Sequence, residues 1–171
     1  MRAVLTAFVA AGALAGNAAA ATPFTPSTIA GTWKGQWTNH TFGSTGPAQI
    51  VATSLAGDTK LKFHIAFTGT VFGCNSVPPE SSTPVPTGKG PNHWNARGFI
   101  IEGTSKDFGQ LSLTYHYPSG KLTGAGKNPP CAPGLSWTIS GTFGATSFDG
   151  LVHIKLGDGS SAVSEITLTR S

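Results

Sequence analysis

Leu135-Ser136-Trp137-Thr138-Ile139-Ser140-Gly141-Thr142-Phe143 alternates with a period of two. Leu135, Trp137, Ile139 and Phe143 fall on one face, and Ser136, Thr138, Ser140 and Thr142 on the other. An amphipathic helix would repeat its apolar residues every three or four positions, so this stretch reads as a strand with one dry and one wet face. The same rhythm runs through Lys60–Thr68, where Leu61, Phe63, Ile65 and Phe67 oppose Lys60, Lys62, His64, Ala66 and Thr68. It returns where Leu111, Leu113, Tyr115 and Tyr117 oppose Ser112, Thr114 and His116.

Extending this pattern along the chain predicts strands near 29–38, 47–56, 60–72, 96–104, 108–117, 120–126, 135–144, 147–156 and 162–169. Ala56-Gly57-Asp58, Pro118-Ser119-Gly120 and Gly157-Asp158-Gly159 supply residues that tolerate positive φ, as tight hairpin turns require. No helical stretch is long enough to cross a sheet, which excludes a parallel βαβ architecture. The expected fold is all-β: an antiparallel up-and-down β-barrel of about eight strands, with a β-sandwich as the alternative.

The N-terminus sets the compartment. Met1-Arg2, an apolar run from Ala3 to Leu14 and the small residues Ala18-Ala19-Ala20-Ala21 have the layout of a secretory signal peptide cleaved after Ala20. The run is too short for a membrane-spanning helix, which needs about 20 apolar residues. The expectation is a signal peptide over 1–20 and one domain over 21–171, secreted or periplasmic, with no integral membrane segment after cleavage. Loss of Arg2 leaves ten basic against seven acidic residues, a formal charge of +3. These charges are scattered, without the basic stripe and stacking aromatics of a nucleic-acid surface.

In an oxidising compartment the two cysteines, Cys74 and Cys131, are expected to pair. Closing a loop of this length would stabilise the fold by roughly 4 kcal/mol in the chain-entropy model. Both cysteines fall in breaks of the strand rhythm. One break is 73–95, read as a long loop because of Pro78, Pro79, Pro84, Pro86 and Pro91. The other is 127–134. Three expected strands separate the cysteines, and an odd number puts them at opposite ends of a meander. The favoured repair makes the glycine-rich segment 120–126 an excursion rather than a full strand; the other lets 73–95 run along the barrel and return.

Ile29-Ala30-Gly31-Thr32-Trp33 resembles the Gly-x-Trp opening of the calycin group, the lipocalins and avidins. That resemblance implies an antiparallel barrel whose tryptophan plugs one end and whose interior takes a small, often apolar ligand. It also implies a basic residue near the C-terminus packed on the tryptophan, a part open to Arg170. The lipocalin mid-chain turn motif and the biotin-contacting set of the avidins are absent. The stretch from Trp33 through Trp37 and Asn39 to Gly46 is also similar to the opening of a group of exported bacterial proteins of unassigned function.

Catalytic chemistry needs titratable groups converging in a pocket. The alternation instead sends His64, His116 and His153 to the wet face, and Asp58, Asp107 and Asp158 fall in turns. The strand residues Ser54, Ser112, Ser140 and Ser164 lie outside any Gly-x-Ser-x-Gly elbow. No metal-ligand spacing appears, so no catalytic residue, metal or cofactor is assigned. Asn39-His40-Thr41 fits the N-glycosylation pattern. The dry face is strongly aromatic, and an eight-stranded barrel with such an interior either fills itself or holds one small ligand.

The expected ligand-binding residues are Trp37, Phe63, Phe99, Tyr115, Tyr117 and Trp137, with Trp94 in the proline-rich loop as a lid residue. The leading expectation is a non-catalytic binder of a small apolar or aromatic molecule. One alternative is a structural or surface-associated barrel with a self-filled core. A second is a cyclase- or isomerase-type enzyme on a calycin-like barrel, using a cluster with Glu102 or Tyr115. A third is an outer-membrane barrel with its apolar face turned out to lipid.

Overall fold

The computed structural model describes the backbone of residues 22–72, 74–81 and 85–171, and the side chains of 22–72 and 85–171. The expected signal peptide lies outside the described residues. A four-residue helix, α1 (Pro26–Ile29), precedes twelve strands: β1 (Gly31–Asn39), β2 (Thr45–Leu55), β3 (Lys60–Val71), β4 (Cys74–Ser81), β5 (Val85–Pro86), β6 (His93–Asn95), β7 (Gly98–Ser105), β8 (Gly109–His116), β9 (Lys121–Lys127), β10 (Ser136–Phe143), β11 (Ser147–Lys155) and β12 (Ser161–Arg170).

All ladders between strands are antiparallel, in the order β4-β3-β2-β1-β12-β11-β10-β9-β8-β7-β6. One sheet therefore rolls into a nearly closed barrel rather than splitting into a sandwich. The first long strand pairs with the last: Trp33 stands opposite Arg170, and Asn39 opposite Ser164. At one end β5 closes the gap between the two edges. It pairs with β3 through Lys60–Pro86 and Leu61–Val85, and Thr87 bridges to Trp94 in β6.

The period-two pattern sorts the side chains as expected. On β11, Phe148, Val152 and Ile154 are buried, while Asp149, His153 and Lys155 are exposed. The apolar set points inward and the charged and hydroxyl set outward, opposite to an outer-membrane barrel. Close approach explains one interior glycine: a Cβ on Gly126 would lie 2.4 Å from Cε2 of Trp137, its cross-strand partner. The indole fits only because that side chain is missing.

The end at which β1 starts and β12 finishes is sealed. Trp33 is 1% exposed, and its Nε1 donates to the Ile29 carbonyl at 3.1 Å. The Arg170 guanidinium lies over the Trp33 ring, 5.2 Å from its centroid, and its Nη2 donates to the Ala30 carbonyl. Gly31 makes the approach feasible, because a Cβ there would lie 2.9 Å from Arg170 Nε. Phe24 completes the plug. Its ring centroid lies 5.5 Å from Tyr115, 5.9 Å from Tyr117 and 6.1 Å from Trp94.

Three expectations are corrected. The barrel has eleven strands along its path, not about eight. The extra strands β4, β5 and β6 all lie in 73–95, expected to be a loop. Pro78 and Pro79 are compatible with β4 because it is an edge strand, bonded on one side only. Segment 120–126 is no excursion: β9 pairs along its length with both β8 and β10. The added strand β4 resolves the parity of the cysteines instead, bringing position 74 and the β9–β10 loop to the same end. Cys131 carries no free thiol; the side chain of Cys74 lies outside the described residues.

Candidate functional site

A cavity of about 880 Å³ occupies the half of the barrel away from the plug. Trp37, Ile50, Phe63, Ile65, Leu113 and Ile166 line its walls. Phe72 and Phe108 stand near its mouth, where the Phe72 ring stacks on Trp137 at 6.3 Å and meets Phe108 edge-on at 6.2 Å. Phe42, 63% exposed in the β1–β2 turn, stands on the rim.

The tryptophans present their rings to this space while their N–H groups are consumed by the backbone. Trp37 Nε1 donates to the Thr68 carbonyl at 2.9 Å, and Trp137 Nε1 to the Phe108 carbonyl at 3.3 Å. The tryptophans therefore add only apolar surface to a mostly apolar lining, whose polar members include Thr70, Asn92, Glu102 and Thr104. No Lys, Arg or His lines it among the described residues.

Two buried polar side chains interrupt the lining. Asn39 is 6% exposed and Ser164 7%, and they are direct cross-strand partners on the inner face. Asn39 Oδ1 accepts hydrogen bonds from the backbone N–H groups of Thr41 and Phe42, both at 2.9 Å. These bonds orient the amide and shape the turn that carries Phe42. Burial in the barrel wall removes Asn39 from use as a glycan acceptor in the folded chain.

The residues expected at the ligand site divide. Trp37, Phe63 and Trp137 line the cavity. Phe99, Tyr115 and Tyr117 lie deeper, in the aromatic cluster with Phe24, where Phe99 and Tyr115 stack at 5.1 Å. Phe63 links the two groups, 5.1 Å from Phe99. Desolvation, with a smaller contribution from neighbouring Tyr117, raises the pKa of the Tyr115 phenol above its usual 10.0.

Trp94 does not cover the mouth. It sits in β6 at the sealed end, paired with Phe99, with its Nε1 directed to the Thr59 carbonyl at 3.4 Å. Phe42 occupies the rim position that Trp94 was expected to take. Glu102 is exposed and belongs to the cavity lining beside Asn92, and Ser112 Oγ donates to its Oε1 at 3.4 Å. Glu102 and Tyr115 do not converge on one space. Asn39 and Ser164 were missed because they are polar; their strand parity, shared with Trp37 and Ile166, was the available signal.

No protein-family model matches this chain, and no curated protein matches it significantly. Among solved structures it is similar to a protein of unknown function from the DUF3598 family of Nostoc punctiforme, with 9% identity and a TM-score of 0.57. The alignment covers 88% of this chain and 50% of that one. The chain thus spans about half the length of that protein, and the likeness concerns the fold alone.

Proposed function

We propose that this chain is an exported, non-catalytic β-barrel that takes a small apolar or aromatic molecule into its interior. The observation that carries this reading is the 880 Å³ apolar cavity beside a sealed aromatic plug. Ligand pockets commonly span about 300–1,000 Å³ and combine apolar walls with a few placed polar groups. A self-filled structural barrel would not leave such a space. The cyclase- or isomerase-type alternative keeps Glu102 in the cavity lining, while Tyr115 lies apart from it in the deeper aromatic cluster.

Export rests on the signal-peptide layout of residues 1–20. Kinship with the calycins rests on Gly31-Thr32-Trp33 and is supported by the stacking of Arg170 on Trp33. A Cys74–Cys131 bridge is part of the same reading, supported by the common end of the two positions. Non-reducing mass measurement of the exported chain tests both processing and pairing. The expected species begins at Ala21 and is two hydrogens lighter than its reduced form.

Titration with N-phenyl-1-naphthylamine tests ligand capacity. Saturable uptake of one probe per chain, with quenching of the cavity tryptophans, is the expected result. Absence of saturable uptake would sink the binding reading.

A further inference from the structure

We propose that Asn39 and Ser164 form a receptor for the polar end of the ligand, and that this ligand is a neutral apolar molecule bearing a single hydrogen-bond-accepting oxygen. The assignment rests on the ligand-binding reading above and adds a chemical class to it. Both side chains are more than nine-tenths buried, line the cavity and stand opposite each other on β1 and β12. Directly opposed residues on one face of a sheet have Cβ atoms about 5 Å apart, close enough for one oxygen to meet both.

Asn39 Oδ1 is already engaged by two backbone N–H groups, which leaves Nδ2 as the side of the amide available to a ligand. Among the described residues no protein acceptor satisfies Nδ2, and no protein partner satisfies Ser164 Oγ. Neither atom is among the fully enclosed unpartnered polar atoms, so both stay open to the cavity, where a hydrogen bond formed away from bulk water retains its strength. The pair thus offers one amide donor and one hydroxyl able to donate or accept. A ketone, aldehyde or alcohol oxygen matches that set.

Charge discriminates further. Because no cationic side chain lines the cavity among the described residues, a carboxylate would be desolvated without a counter-charge. A pure hydrocarbon would leave both groups unsatisfied. The neutral oxygenated ligand is favoured over each.

A matched probe series tests this: 2-acetylnaphthalene, naphthalene and 2-naphthoate, each titrated against tryptophan fluorescence. The wild type is expected to bind the ketone about 2- to 10-fold more tightly than naphthalene, the range of one net hydrogen bond, and to bind naphthoate less well than the ketone. Asn39→Asp keeps the oxygen that organises the turn but removes the amide donor; Ser164→Ala removes the hydroxyl with little change in volume. In each variant the ketone-to-naphthalene ratio should fall towards one. Equal binding of ketone and naphthalene by the wild type, or tightest binding of naphthoate, overturns the assignment while leaving the apolar cavity standing. Failure of all three probes to bind overturns the underlying reading as well. A ketone preference that survives in both variants overturns the roles of Asn39 and Ser164.

Discussion

Replacing Arg170 by alanine should open the sealed end of the barrel. The guanidinium stacks on Trp33, donates to the Ala30 carbonyl and reaches the Thr28 carbonyl at 3.5 Å, so one side chain joins β12, β1 and the α1 segment. A cation–π contact contributes about 0.5–2 kcal/mol, depending on its exposure. A hydrogen bond from a charged donor contributes about 1.5–3 kcal/mol. Arg170 is only partly buried, so the lower halves of these ranges apply, and a loss of about 2–3 kcal/mol follows. For a domain of this size that corresponds to a fall in Tm of about 4–12 °C.

Arg170→Lys keeps the charge but loses the planar stack and the fork, and should recover only part of the difference. Gly31→Ala should also destabilise, because its Cβ would meet Arg170 Nε at 2.9 Å on a backbone with φ +146°. Thermal unfolding followed by near-ultraviolet circular dichroism reads all three. An alanine variant melting within about 1 °C of wild type, or a lysine variant indistinguishable from it, would refute the clasp; shifts of that size correspond to well under 1 kcal/mol.

Asp58 accepts hydrogen bonds from Ser54 and from the side chain and backbone of Ser27, and these hold its pKa below the usual 3.8. Its contribution is present above pH 3.8 and lost as pH falls through the lowered folded value. The Tm gap between wild type and Asp58→Asn should therefore exist at neutral pH and close in strong acid; a gap unchanged at acid pH would count against the tie. In a Tyr117→Phe chain, absorbance at 295 nm should show Tyr115 ionising above 10.0 when folded and near 10 in denaturant. The neutral phenol favours the folded state below pH 10 and that contribution disappears as pH rises through the raised value, so identical folded and unfolded midpoints would contradict its desolvation. Gly126→Val should displace Trp137 and cost about 1–3 kcal/mol, seen as a lower Tm with altered tryptophan emission. Unchanged Tm and emission would contradict the packing.

Strand positions were legible wherever one face is wet and the other dry. The alternation of Leu135–Phe143 recurs as the burial of β10, and the nine expected strands match the long strands other than β4 to within a few residues. The proline-rich segment misled because proline signals a break in a central strand but is tolerated in an edge strand such as β4. The plug segment around Phe24 carries no periodicity, since it is tied by single contacts such as Phe24 N–H to the Ala96 carbonyl at 3.1 Å. Period two also tells which face a side chain takes but not its depth along the barrel. That is why Trp37 and Tyr115 looked equivalent, although one lines the cavity and the other packs beneath it.

Native mass spectrometry of the chain purified from its own host tests most directly whether the barrel is a carrier. A native mass above that of the bare polypeptide, with the excess released as a neutral oxygenated molecule on denaturation, is the expected result. A native mass equal to the bare chain, together with no saturable uptake of an apolar probe, would contradict it.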